Sequence, residues 1–281
     1  MESLPNLTGS IPAQYENVSL FRPDDQFFID AAAVIDSNPE KQQVPAFWVD
    51  KYEKDRAKNW DTFYKRNKDN FFKDRHYLVR EFGLALTDDR TWKFVELGCG
   101  VGNALLPLVE GHSTLHGVGI DYSSVAISIL NERVVKGELS SRCEGRVADL
   151  TDIGTCLDDL EGTADYVSLF FALSACQPES FSNVASVVGK LLKPGGKLLF
   201  RDYAKYDLAQ LRLAEKQAKL ADDFYVRGDG TRAKFFTEQE ARGIFKSLKC
   251  NHIGTQAKVF VNRKTGAEMK RLWVQGVWTK E

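Results

Sequence analysis

Long apolar runs, histidine and paired cysteines are all scarce in this chain, and each scarcity removes a class of protein. No hydrophobic run approaches the ~20 residues that a membrane-spanning helix needs. The five cysteines (Cys99, Cys143, Cys156, Cys176 and Cys250) are odd in number and include no C-x-x-C pair, which argues against a disulfide scaffold or a zinc ribbon. Several fall in strand-like stretches, where a thiol usually serves as a small buried hydrophobe. Of the four histidines, His112, His116 and His252 stand in no ligand or catalytic spacing, so no metal is expected. Residues 1–50 hold Arg22 and Lys41 against eight Asp and Glu, net −6. That is the wrong sign for a mitochondrial presequence, and no signal-peptide core is present. The expected compartment is the cytosol or nucleus.

What the chain does have begins at residues 93–103 (KFVELGCGVGN). A short apolar run ending in Glu96 reads as a buried strand, followed by Gly98, Gly100 and Gly102 in a tight turn. Glycine lets the backbone reverse sharply and lie against a ligand. A dinucleotide fingerprint is G-x-G-x-x-G; here the third glycine comes one residue early and Asn103 takes its place, opening an amphipathic helix. A second strand at 118–121 ends in Asp121, where a carboxylate can accept both hydroxyls of a ribose. The stretch 146–150 closes a third strand and brings Asp149 to the exocyclic amine of an adenine. Residues 165–172 form a fourth strand, 191–196 end a helix with Pro and Gly, and 197–203 form a fifth. This alternation predicts a mostly parallel sheet with ligands at the carboxyl ends of its strands.

Around that core, residues 1–44 carry four prolines and little periodicity, and read as a mostly disordered acidic tail. Trp48, Tyr52, Trp60, Phe63 and Tyr64 recur at near-helical spacing, predicting one helix over 46–67 and a shorter one over 71–82, within a helical cap segment at 45–90. The core occupies 91–203. An insertion at 204–235 should hold a helix marked by Leu208, Leu211, Ala214, Ala218 and Ala221, then a turn-rich loop over 224–232. Residues 236–281 return to the core. Thr237 and Glu240 make a capping box, and the β-rich runs 252–263 and 271–278 close the chain as an antiparallel hairpin turning at 264–266. No internal repeat is visible.

The net charge of −1 conceals two basic segments. Residues 51–80 hold ten Lys/Arg against five acids, interleaved with aromatics, and 241–271 hold eight against Glu268 alone. Cations alternating with aromatics suit phosphates and unpaired bases; the alternative is a pair of solvated helix faces over core aromatics.

The E-x-G-x-G-x-G run at 96–102 resembles motif I of class I S-adenosylmethionine-dependent methyltransferases. Residues 59–65 (NWDTFYK), 70–77 (NFFKDRHY), 200–203 (FRDY), 224–227 (FYVR), 229–232 (DGTR) and 235–237 (FFT) together resemble the eukaryotic tRNA 3-methylcytidine methyltransferases. The resemblance covers about residues 46–281, and F-F-K-D-R-H is its most specific element. It implies an α/β class I methyltransferase fold, Rossmann-like, with a seven-stranded mixed sheet ending in an antiparallel hairpin. It further implies that the N-terminal helices and the insertion form an RNA-binding cap. The implied reaction is formation of 3-methylcytidine at position 32 of serine, threonine or arginine tRNAs. The anticodon stem-loop is the implied partner, joined in some subgroups by seryl-tRNA synthetase. By the same resemblance, Gly98 and Gly100 approach the cofactor S-adenosylmethionine. Asp121 binds its ribose, Asp149 and Leu150 hold the adenine, and Phe170 packs on that ring where the family has an aliphatic residue. Trp60 and Tyr64, which would otherwise read as core aromatics, close over the cofactor.

Cytosine N3 carries a lone pair and no proton, so no general base is required, and none is obvious here. The [D/N]-P-P-[F/Y] motif of exocyclic-amine methyltransferases is missing; residues 171–175 (FALSA) stand there. The product is a cation, so a carboxylate nearby would stabilise it, and Asp202 is the candidate, with Arg201 and Tyr203 beside it. Arg201 reads equally well as the partner of an acid. N3 lies on the pairing edge, so the base must be unstacked. Phe71, Phe72 and Tyr203 are candidates to stack on it, and Arg75, His76, Arg227 and Arg232 to hold flanking phosphates. The rival readings are a small-molecule or protein methyltransferase of the same fold and an RNA-binding remnant without activity.

Overall fold

The apolar run after Arg90 becomes the central strand of a seven-stranded sheet in the computed structural model, which describes residues 26–36, 43–69, 71–152, 156–261, 266 and 268–281. That strand, β1 (Trp92–Leu97), lies between β2 (Leu115–Asp121) and β4 (Ala164–Phe170), with β3 (Cys143–Val147) and β5 (Leu192–Tyr203) outside them, all parallel. β10 (Glu268–Thr279) runs antiparallel to β5, and β9 (Lys249–Val261) antiparallel to β10. The order is therefore β3-β2-β1-β4-β5-β10-β9. Successive side chains of a strand point to opposite faces, and this splits the core in two. Val95 and Leu97 join a cluster with α7 (Phe181–Leu191) and α9 (Glu238–Ile244), while Phe94 joins one with α5 (Leu105–Gly111) and α6 (Ser124–Lys136). The expected capping box is present: Thr237 Oγ1 accepts the Glu240 N–H at 3.1 Å, and Glu240 Oε2 accepts the Thr237 N–H at 2.7 Å.

Several elements differ from expectation, each for a tertiary reason. Inside the stretch read as a tail, α1 (Gln26–Asp36) is a helix that buries Ala31 and Ile35 against Ala214 of α8 (Leu208–Glu215), with Tyr225 and Phe235. The expected single helix over 46–67 breaks at Asp55 into α2 (Ala46–Lys54) and α3 (Arg56–Asn67). The break lets Glu53 pair with Arg232 while Arg56 reaches Asp149. Of 71–82, only α4 (Leu78–Phe82) is helical. Before it, Asp74 is drawn to Arg133 at 2.9 Å and to Asn103 at 2.8 Å, and the Arg75 N–H to the Asn103 carbonyl at 2.7 Å. Those bonds hold 71–77 out of the helix.

In the insertion the helix stops at Glu215, closed by Gln217 at φ 56°, so Ala218 and Ala221 lie beyond it. The loop expected after them is a small antiparallel sheet of β6 (Lys219–Ala221), β7 (Phe224–Val226) and β8 (Arg232–Lys234). Asp149 stands two residues past the end of β3, and the helix expected to open at Asn103 starts at Leu105. Of the hairpin turn at 264–266 only Gly266 is among the described residues, and residues 1–25 and 37–42 of the tail are outside them.

Candidate active site

The chain reverses after β1 through Gly98 (φ 70°) and Gly100 (φ 53°). A Cβ at Gly98 would collide with that of Ala172, and one at Gly100 would lie 2.5 Å from the Tyr64 hydroxyl, so glycine is required at both. Asp121 ends β2 and is buried. Its Oδ2 accepts the Gly100 N–H and its Oδ1 the Ser123 N–H, both at 2.9 Å; burial pushes its carboxyl up to about 6. Asp149 Oδ1 accepts the N–H (2.9 Å) and hydroxyl (2.7 Å) of Thr151, and Oδ2 pairs with Arg56. Glu96 is buried with Oε2 lacking any hydrogen-bond partner among the described residues, and burial pushes it up to about 8.

Two cavities open at the carboxyl ends of these strands. The first, of about 530 Å³, lies between Asp121, Asp149 and Leu150 on the sheet side and Trp60 and Tyr64 of α3. The second, of about 1140 Å³, is walled by aromatics (Phe71, Phe72 and Tyr203 among them) and by Arg75, Arg227 and Arg271. Gly98, Trp60, Tyr64 and Phe171 line both, so groups seated in the two would meet there. Phe171 holds φ 58°, a strained conformation for an aromatic residue of the kind that clusters at ligand sites. The Arg75 guanidinium lies 5.1 Å from its ring centroid. Arg227 and Arg271 lie 5.4 and 5.7 Å from the ring of Tyr203, and the buried Asp207 anchors Arg271 at 2.9 Å. The α2–α3 segment is tied across the site by the Glu53–Arg232 pair. Asn59 also donates to the Gly230 carbonyl at 3.0 Å, and Asp61 accepts from the Ser123 hydroxyl at 2.6 Å.

The sequence matches the methyltransferase domain family over residues 52–251. It is 38% identical over 261 residues to the tRNA N(3)-methylcytidine methyltransferase Mettl2 of Drosophila melanogaster, covering 89% of this chain and 78% of that one. Identity to the tRNA N(3)-cytidine methyltransferase METTL6 of Homo sapiens is 37% over 248 residues, 84% of each chain. This chain belongs to the tRNA N(3)-cytidine methyltransferase family. The tRNA(Thr) (cytosine(32)-N(3))-methyltransferase of Saccharomyces cerevisiae is 38% identical over 250 residues, 85% of this chain and 39% of the yeast protein. Among solved structures, an S-adenosylmethionine-dependent methyltransferase from Anabaena variabilis shares the fold with a TM-score of 0.59 at 15% identity, covering 80% of this chain and 95% of its own. One from Methanosarcina mazei gives 0.56 at 19% identity, covering 74% and 98%.

Of the cofactor residues that the family resemblance implies, Trp60, Tyr64, Gly98, Asp121, Asp149 and Leu150 gather on the first cavity, and Gly100 lines the second. Phe170 does not reach the first. Its ring packs on Phe82 at 5.3 Å and it lines the second cavity, while its neighbour Phe171 lines the first. Phe71, Phe72, Arg75, Arg227 and Arg232 all line the second cavity, whereas His76 is exposed and lines neither. Within the proposed catalytic trio only Tyr203 faces a cavity. Arg201 is the partner of an acid: buried, it pairs with Glu81 and donates to Gln275 Oε1 at 2.7 Å. Asp202 is 0% exposed, accepting the Ser174 N–H on Oδ2 and the Tyr203 N–H on Oδ1, both at 2.9 Å. Burial pushes it up to about 6. Sequence reasoning missed Arg56, Phe171, Ser174 and Arg271. Arg271 fell inside the basic segment 241–271, which was its signal; a positive φ at Phe171 leaves none. Among the described residues no cluster of His, Cys, Asp or Glu is placed to hold a metal.

Proposed function

We propose that this protein methylates N3 of a cytidine in the anticodon loop of tRNA, at position 32, with S-adenosylmethionine as the methyl donor. The observation that carries the reading is the shared wall of the two cavities at Gly98 and Phe171, one cavity lined by nucleoside-binding acids and the other by aromatics and arginines. The donor set of the first cavity fits the cofactor. Asp121 offers an acceptor to the ribose hydroxyls and Asp149 one to the adenine amine, and beside them, on the second cavity, the unpaired Oε2 of Glu96 suits an ammonium group. When bound, the cofactor supplies an electrophilic methyl group on a sulfonium. Trp60 and Tyr64 exclude water from that side. Phe71, Phe72 and Tyr203 stack on the extruded base, and Arg75, Arg227 and Arg271 meet phosphates. Arg232, tied to Glu53, holds the α2–α3 segment over the site. Because N3 already bears its lone pair, alignment is the main catalytic task.

The test is incubation with total tRNA and labelled S-adenosylmethionine, followed by mass analysis of the nucleosides. Label in 3-methylcytidine is expected; label only in another nucleoside contradicts the reading. A parallel reaction with seryl-tRNA synthetase tests our further reading, resting on the family resemblance, that the synthetase stimulates methylation.

A further inference from the structure

Methylation at N3 turns a neutral base into a cation, and the second cavity would surround that cation with arginines. The N3 lone pair makes the new bond to carbon while the carbon–sulfur pair returns to sulfur. Positive charge therefore passes to the base, and no proton moves. A carboxylate facing the base would offset this charge, but Asp202 is buried and lines neither cavity. The carboxylates that do line the second cavity are Glu96 and Asp229. Glu96 is buried, and the reading above gives its unpaired Oε2 to an ammonium group. Asp229 sits in the loop between β7 and β8 and lines the cavity together with Tyr203 and Arg227. Its Oδ1 accepts the N–H (3.0 Å) and the hydroxyl (2.7 Å) of Thr231, which leaves Oδ2 for a ligand. The loop is pinned from two sides. The Gly230 N–H donates to the Arg227 carbonyl at 2.9 Å, and the Gly230 carbonyl accepts from Asn59 at 3.0 Å. The nearby Arg227 guanidinium donates elsewhere, to the Arg232 carbonyl at 2.9 Å.

We propose that Asp229 is the catalytic carboxylate of this site, held at the target base to accept from its exocyclic amine and to stabilise the cation forming on the ring. The inference rests on the cytidine reading above. Methylated cytosine spreads its charge over N3 and the amine nitrogen. The amine thus becomes a stronger donor as the reaction proceeds, and a bond to Oδ2 tightens in the transition state. Asp229 is exposed in the free protein; seated RNA covers the loop and removes the water that would screen its charge. The same carboxylate repels phosphates, so it weakens RNA binding at a cavity otherwise rich in arginine. That opposition separates a catalytic role from a part in binding.

Single-turnover methylation of an anticodon stem-loop, RNA affinity and melting temperature are measured for wild type, Asp229→Asn and Asp229→Glu. Asparagine keeps the acceptor that Thr231 uses and removes the charge. Asp229→Asn should slow methylation by roughly ten- to a hundredfold, as loss of a charge-assisted hydrogen bond implies, while its affinity for the cytidine stem-loop holds or rises. Asp229→Glu, which keeps the charge, should recover part of the rate. A stem-loop already carrying 3-methylcytidine, the cationic product, gives a readout that a structural role would not move. Its affinity relative to that of the cytidine stem-loop should fall by about tenfold in Asp229→Asn. A near-normal rate in folded Asp229→Asn overturns the assignment, and so does a slowed rate with an unchanged affinity ratio. If total tRNA treated with wild type yields no 3-methylcytidine on nucleoside analysis, the cytidine reading itself has failed, and this inference with it.

Discussion

Glu96 stands near the end of β1, buried, with Oε2 lacking a hydrogen-bond partner among the described residues. Burial keeps the native carboxyl protonated up to about 8, whereas the unfolded chain releases that proton near 4.5. The folded state therefore binds a proton that the unfolded state has lost. Its contribution to stability is fully present below pH 4.5 and disappears as pH rises through 8. Glu96→Gln has no proton to lose. Its stability relative to wild type, read from urea melts, should rise by about 1.4 kcal/mol per pH unit between 5 and 8 and then level off. A flat difference would mean that Glu96 is ionised and paired. Asp121 makes a second prediction at this scale. Two hydrogen bonds from ribose hydroxyls to a carboxylate are worth about 1.5–3 kcal/mol each, so Asp121→Ala should weaken S-adenosylmethionine binding on the order of a hundredfold or more. A calorimetric affinity within threefold of wild type would remove Asp121 from the site.

The α2–α3 segment is an element held by polar contacts more than by a core, for α2 buries no residue and α3 buries only Phe63 and Tyr64. Its ties reach the insertion through Glu53–Arg232 and Asn59–Gly230, and the sheet through Arg56–Asp149 and Asp61–Ser123. Arg232 is 3% exposed, so removing Glu53 leaves a nearly buried cation without its partner. A double-mutant cycle of Glu53→Gln with Arg232→Gln should show a coupling on the order of 1–3 kcal/mol in unfolding; independent effects would mean that the pair does not latch the segment.

This element also marks where sequence legibility ended. The sheet strands could be read because burial on both faces writes apolar runs into the sequence, and Thr237 and Glu240 announced α9 by local chemistry. The break at Asp55 and the non-helical run at 71–77 are imposed by distant partners, Arg232 and Asp149 in one case, Arg133 and Asn103 in the other. α1 was hidden by the net acidity of its surroundings. Gly98, Asp121 and Asp149, named by the glycine turn and the strand-end acids, line the first cavity, whereas His76, Arg201 and Asp202 came from motifs as specific and line neither; Phe171 and Arg271 reach the second cavity only through the third dimension.

At the scale of the whole molecule, a near-neutral chain gathers cations around one cavity. Arg75, Arg227 and Arg271 line it together with Phe71, Phe72 and Tyr203, on a sheet whose other cavity is lined by Asp121 and Asp149. Three phosphate contacts to a single-stranded loop predict that log affinity falls with log salt at a slope of about −2. Arg227→Ala should flatten that slope by about 0.7, and S-adenosylmethionine affinity should barely respond to salt. A salt-independent RNA affinity would favour a small-molecule substrate. The central claim, methyl transfer to the pairing edge of one cytidine, is tested most directly by primer extension across tRNA treated with the enzyme and S-adenosylmethionine. Methylated N3 cannot pair, so extension should arrest at position 32, and the arrest should vanish with Asp121→Ala. Methyl label entering the tRNA without an arrest at that position would contradict the account.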